Sequence, residues 1–145
     1  MVLSQLIPAH GVSVSPDVVR QVLATAFAID DGLLGDAVTI RVSGVSDDQN
    51  AMLMAELLLD RLCRVSGRVL VDVRRLHGRP SLASVYFLMR ELPLRQHPPR
   101  EVAILEREAL RAHAEFHRTT AANTGVCFTY FFDVAAACAW LAAGR

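Results

Sequence analysis

The chain has 145 residues, the size of one compact domain and enough to bury a core. Hydrophobic residues make up 52% and charged residues 21%, a globular composition that excludes an intrinsically disordered chain. Fifteen arginines, with no lysine at all, balance 15 acidic residues, so no global field gathers nucleic acid or an anionic membrane surface, and neither is an expected partner. Cys63, Cys127 and Cys138 are odd in number, never form a C-x-x-C pair, and sit among apolar neighbours. They predict small buried side chains in a reducing, cytoplasmic compartment. The opening MVLSQLIPAHG has no basic n-region, the first arginine being Arg20, and is not expected to serve as a signal peptide. No apolar run reaches the ~18 residues that span a bilayer.

The first 36 residues read as an arm. Ser15 followed by Pro16 predicts a helix start, leading DVVRQVLATAFA to about Leu23. An edge strand near Thr25–Ile29 is then expected to pair with Ala37–Gly44. The alternative for TAFAIDDGLLGDAVTI is strand, turn near Asp31–Gly32, and strand. Residues 37–145 alternate strand and helix signals. AVTIRVSG is β-branched and ends at Gly44. SDDQNAMLMAELLLDRLCRVSG predicts a helix with Ser46 as N-cap, Gln49 three residues on, and Asp47 and Asp48 in the first turn. Met52, Ala55, Glu56, Leu59 and Cys63 should share one face, and Gly67 should end it. RVLVDV (Arg68–Val73) is apolar enough for a strand buried on both faces. A helix over Ser81–Leu92, broken by Pro93, Pro98 and Pro99, leads to the strand Glu101–Glu106 and a helix over Ala109–Ala122. VCFTYFF (Val126–Phe132) is the last strand, and Asp133 should cap a terminal helix that stops at Gly144. This alternation predicts an α/β domain with a mostly parallel sheet of four to five strands, right-handed crossovers and helices packed against it.

Two stretches, VLVDVRRLHGRPSLAS and FTYFFDVAAACAWLAA, in this order of elements, resemble the STAS family of anti-sigma-factor-antagonist-like domains, in its divergent SpoIIAA-like branch. The likeness runs from about Ala37 to Ala143 and implies a single STAS-like domain after the arm. It also implies a non-enzymatic, cytoplasmic regulatory role in a bacterium, exercised by protein binding. Classical members carry a phosphorylatable serine where this chain has Ser81. Here Pro80 precedes it and Leu82 and Ala83 follow, in place of the family's aspartate, hydroxyl residue and glycine.

Candidate site residues cluster where these stretches begin. Ser81, and one turn on Ser84, are candidate phosphoacceptors, because a helix N-terminus accommodates phosphate. No acidic residue lies within Leu82–Val85 to repel it. The bland role for Ser81 is an N-cap. Arg74, Arg75, His77 and Arg79 form the densest positive cluster, an anion or partner site placed by Asp72, or else a solvated turn. His113 and His117 share a helix face that is expected to be a polar one, since HAEFH lacks the H-E-x-x-H pattern and nothing completes a metal site. No nucleophile–base pair or phosphate loop emerges, and no cofactor is expected. Phe128, Tyr130 and Phe132 should point one way and Phe131 the other, with Trp140 packing the terminal helix on the sheet. If helices stand off the sheet, these aromatics and methionines would line an apolar pocket. The expected partner is therefore a protein, with a second copy of the chain among the candidates. The alternative is a small apolar ligand, carried or sensed in a cavity beneath the helices.

Overall fold

A computed structural model describes residues 15–35, 37–65, 67–91, 101–125 and 127–144. Five helices and five strands follow one another as α1 (Pro16–Ala24), β1 (Phe27–Leu34), β2 (Ala37–Val45), α2 (Ala51–Leu62), β3 (Arg68–His77), α3 (Leu82–Glu91), β4 (Glu101–Leu105), α4 (Arg111–Asn123), β5 (Phe128–Phe131) and α5 (Val134–Ala143). A single 3-10 turn, Glu108–Leu110, leads into α4. The strands form one sheet in the order β1-β2-β3-β4-β5; β1 is antiparallel to β2, and every later pairing is parallel. Among the described residues no helix is long and apolar enough to cross a membrane. The proline-rich break at Pro93, Pro98 and Pro99 lies outside the described residues.

Because the parallel strands are added in one direction, right-handed crossovers put α2, α3 and α4 on the same face. The core agrees. Val69 and Val71 of β3 and Val102 and Ile104 of β4 pack with Leu53, Met54 and Leu62 of α2. Val85 and Met89 of α3 meet Ala121 of α4 beside Phe128. The alternate residues Leu70, Ala103 and Leu105 face the other way, onto Ala137 and Leu141 of α5. Strand β3 is thus apolar on both faces because helices cover both. Asp133 caps α5, its carboxylate accepting the N–H groups of Ala135 and Ala136 at 3.3 and 3.2 Å.

Several boundaries differ from those expected. The first strand runs through Asp31–Gly32 to Leu34, and the turn into β2 comes at Gly35, three residues later than Gly32. Ser46 does not cap α2. Asp47 Oδ1 accepts the N–H groups of Gln49 and Asn50 at 2.9 Å each, and Asn50 Oδ1 accepts that of Asp47 at 3.0 Å. These local bonds hold a turn, so the helix waits until Ala51. Its buried residues are accordingly Ala51, Leu53, Met54, Leu59 and Leu62, whereas Met52, Ala55 and Glu56 are only half-buried. Cys63 and Cys127 are exposed and Cys138 half-buried, contrary to the expected burial; Cys63 falls just past the end of α2 and Cys127 just before β5.

Candidate functional site

The largest change concerns the end of β3. The strand continues past Val73, and Arg75, Leu76 and His77 pair with Ser43, Gly44 and Val45 of β2. Its pairing with β4 stops at Asp72, where β4 ends. Three of the four members of the positive cluster therefore stand on a strand, and the turn into α3 is only Gly78–Ser81.

Asp72 and Arg74 form a closed pair. The Asp72 carboxylate accepts Nε and Nη2 of Arg74 at 3.0 and 2.9 Å and the Arg74 backbone N–H at 3.1 Å. Burial pushes the Asp72 carboxyl up, but these hydrogen bonds and the charges of Arg74 and Arg41 outweigh it and hold the group below its ordinary value. Arg79 is more deeply engaged. Its side chain is 9% exposed and pairs with Glu106, 4% exposed, at 2.7 and 3.0 Å. The remaining guanidinium donors bond the carbonyls of Val73, Leu76 and Gly78. All five N–H groups of the fork are thereby used. Arg75 and His77 are the exposed members of the cluster. Gly78 makes the turn at φ +74°, and a Cβ there would stand 2.5 Å from the Ser46 carbonyl oxygen.

Ser81 caps α3: its Oγ accepts the N–H of Ser84 at 3.2 Å and lies 3.2 Å from the Ser84 hydroxyl. The Ser81 N–H donates to Asp48 at 2.6 Å, and this bond, with one from the Ser84 hydroxyl, holds the Asp48 carboxyl below its ordinary value. Asp48 comes from the loop before α2, 33 residues upstream, so the sequence around Ser81 contains no sign of it. A phosphate on Ser81 would share the helix start with this carboxylate.

Between the sheet and helices α2, α3 and α4 lies a cavity of about 140 Å³. Met54, Leu58, Val71, Val73, Leu88 and Ile104 line its apolar part, and Arg79, Glu106, His113, His117 and Tyr130 its polar end. Of the aromatic residues of the last strand and helix only Tyr130 reaches this wall; Phe128 and His117 pack at 5.4 Å and Phe131 packs on Trp140 at 5.9 Å on the α5 side. His113 and His117 are half-buried against the sheet instead of forming a solvated face. His113 Nε2 bonds the Pro80 carbonyl at 2.9 Å, and His117 Nδ1 bonds the Tyr130 hydroxyl at 2.5 Å. Among the described residues no third metal-ligating side chain joins them. A wider groove of about 320 Å³ at the opposite end of the strands is lined by Arg61, Arg64 and Arg68, but each is paired with a carboxylate.

Burial pushes the His117 imidazole down from 6.5 to about 4, with the charge of His113 adding to it, and burial pushes the Tyr130 phenol up. A folded pKa below the unfolded one means that this site favours folding with a neutral ring. The stability is complete above pH 6.5 and is lost as pH falls toward 4. Between pH 7 and pH 5 the loss should be roughly 2 kcal/mol, read as a fall in the urea midpoint before the carboxylates titrate. His117→Gln should flatten that slope, and a wild-type midpoint unchanged over this range would contradict the buried neutral imidazole.

An open, mostly parallel sheet, its edge strand antiparallel, with three crossover helices on one face and a terminal helix on the other, defines a SpoIIAA-like α/β domain. The chain is similar to an uncharacterized protein of the DUF3478 family, with a SpoIIAA-like fold, from Shewanella loihica PV-4. Identity is 23% and the TM-score 0.50, over 80% of this chain and 94% of that one. The fold is thus the one the resemblance implies. No protein-family model and no curated protein matches the chain.

Proposed function

We propose that this chain is a non-catalytic regulatory domain of the bacterial cytoplasm that works by binding a protein, docked over the outer face of α3 and the turn that leads into it. The observation that supports this is the exposure of three large apolar side chains on that helix: Leu82 at 47%, Tyr86 at 44% and Phe87 at 66%. Tyr86 and Phe87 are in edge contact at 5.5 Å, and the Arg90 guanidinium lies over the Tyr86 ring. A contiguous apolar patch with a charged rim is where a soluble domain meets another molecule. The Arg90 guanidinium at the edge of this patch favours a partner that places a carboxylate beside an apolar centre. Asp72, Arg74 and Arg79 shape this end of the domain, and Ser81, backed by Ser84, is the position where added charge would alter it.

The test compares the wild-type protein with Phe87→Ser and Ser81→Glu on a partner recovered from the native host. Phe87→Ser should weaken binding at least about tenfold, as loss of an aromatic anchor does, with the unfolding midpoint essentially unchanged. Ser81→Glu should weaken it too, by setting a second carboxylate beside Asp48. Unchanged affinity in both variants would remove the docking site from α3.

The cavity favours a second reading, a carrier or sensor of a small apolar ligand. Native mass spectrometry of protein purified from its own source should then show a mass increment that disappears on denaturation.

A further inference from the structure

The cavity beneath α3 has the volume and wall chemistry to limit what it could hold. Its volume of about 140 Å³ is far below the 300–1,000 Å³ of pockets that take drug-sized ligands. It is close to the ~150 Å³ at which an apolar cavity holds one benzene ring. The walls from Met54, Leu58, Val71 and Ile104 offer such a ring no polar partner.

The other end is polar without being charged toward the space. Arg79 and Glu106 neutralise each other, and every guanidinium donor of Arg79 is already engaged. The Pro80 carbonyl can only accept, so His113 Nε2 carries a proton directed at it and away from the space. The His117–Tyr130 hydrogen bond can run either way. If the phenol donates to Nδ1, His117 keeps an Nε2–H donor and the phenol oxygen an acceptor site. If Nδ1–H donates, the phenol keeps its own donor and Nε2 is an acceptor. In both tautomers the pair presents one donor and one acceptor, which a hydroxyl group matches and a carboxylate or an ammonium does not.

We propose that this cavity binds a single-ring, uncharged small molecule bearing one hydroxyl, a phenol-class ligand, with the ring between β3–β4 and α2 and the hydroxyl at His117 and Tyr130. This rests on the carrier reading and specifies its ligand. Buried polar groups discriminate strongly, because a ligand lacking the matching group leaves them unpaired.

The experiment is a methyl NMR titration of the full-length protein with phenol and, separately, with benzene, following Met54, Leu58, Val71, Leu88 and Ile104. Phenol should shift these methyls saturably and bind at least tenfold more tightly than benzene. Tyr130→Phe, which keeps the ring and removes the hydroxyl, should erase that preference. If benzene binds as tightly as phenol or more tightly, the cavity holds a ligand and the phenol-class assignment is overturned. If neither compound moves these methyls, the carrier reading falls with it. The wild-type comparison decides the matter even if Tyr130→Phe fails to fold.

Discussion

Arg79→Ala should destabilise the domain by about 3–5 kcal/mol, the cost of leaving one member of a buried ion pair without the other. For a domain of this length that corresponds to a drop of about 10–15 °C in the unfolding midpoint, measurable by calorimetry. The reason is the accounting at the end of β3. Removing the guanidinium leaves the Glu106 carboxylate buried at 4% exposure and takes donors from the carbonyls of Val73, Leu76 and Gly78. Leu76 O retains a bond from Arg107 Nη2 at 3.2 Å, and Glu106 retains the Arg107 backbone N–H at 2.8 Å, so the loss is partial at those two atoms. Arg79→Lys restores a charge but not the planar fork, and should recover only part of the stability. Replacing both partners, Arg79→Met with Glu106→Leu, removes the stranded charge and should recover more than Arg79→Lys does. A fall of less than 1 kcal/mol for Arg79→Ala would mean that the pair is solvated and does not hold the turn.

Gly78→Ala should be the second severe substitution, although it adds a single methyl group. An L-residue at φ +74° costs about 1–3 kcal/mol, and here the new Cβ would stand 2.5 Å from a backbone atom, the Ser46 carbonyl oxygen. That oxygen cannot swing aside as a side chain would, because the Ser46 N–H is bonded to the His77 carbonyl at 2.8 Å. The turn must open and draw His77 and Arg79 with it. A loss of at least about 2 kcal/mol is expected in chemical denaturation. A wild-type midpoint in the variant would show that the turn relaxes freely. Gly78 and Arg79 are adjacent and share one turn, so their effects should not add in the double variant.

The features legible in the sequence are those set by local chemistry. Asp133 ahead of an alanine-rich run predicts a capped helix, and the alternation of Phe128, Tyr130 and Phe132 against Phe131 predicts two differently packed faces; the structure has both. The strand–helix order leads to the parallel sheet for the same reason. What escaped was set by contacts distant in sequence. Arg79 and Glu106 are 27 residues apart, Asp48 and Ser81 33, and the charge pattern of one segment does not reveal the other. Arg75–His77 reads as a turn because it is polar, and becomes strand only because Ser43–Val45 lies alongside. The strand order runs from one edge of the sheet to the other without reversal, and open space lies between the sheet and its helices, where no single segment of the sequence marks it. His117 did carry a signal: Ala114 and Ala121, both buried, are seven residues apart, and His117 falls between them on the same stripe. Small residues at that spacing mark the inward face of α4 more reliably than the charged neighbours Glu115 and Arg118 mark the outward one.

The central claim is that the outer face of α3 is the surface through which this domain works, and photocrosslinking tests it most directly. A photoreactive residue is placed at Phe87, and in a second protein at Ala28, an exposed position of β1 between two residues that point toward α2. Irradiated in the native host, the protein labelled at position 87 should give one adduct of defined mass, reduced when Ser81→Glu is added, and position 28 should give none. No adduct from position 87, or an equal yield from position 28, would contradict the account.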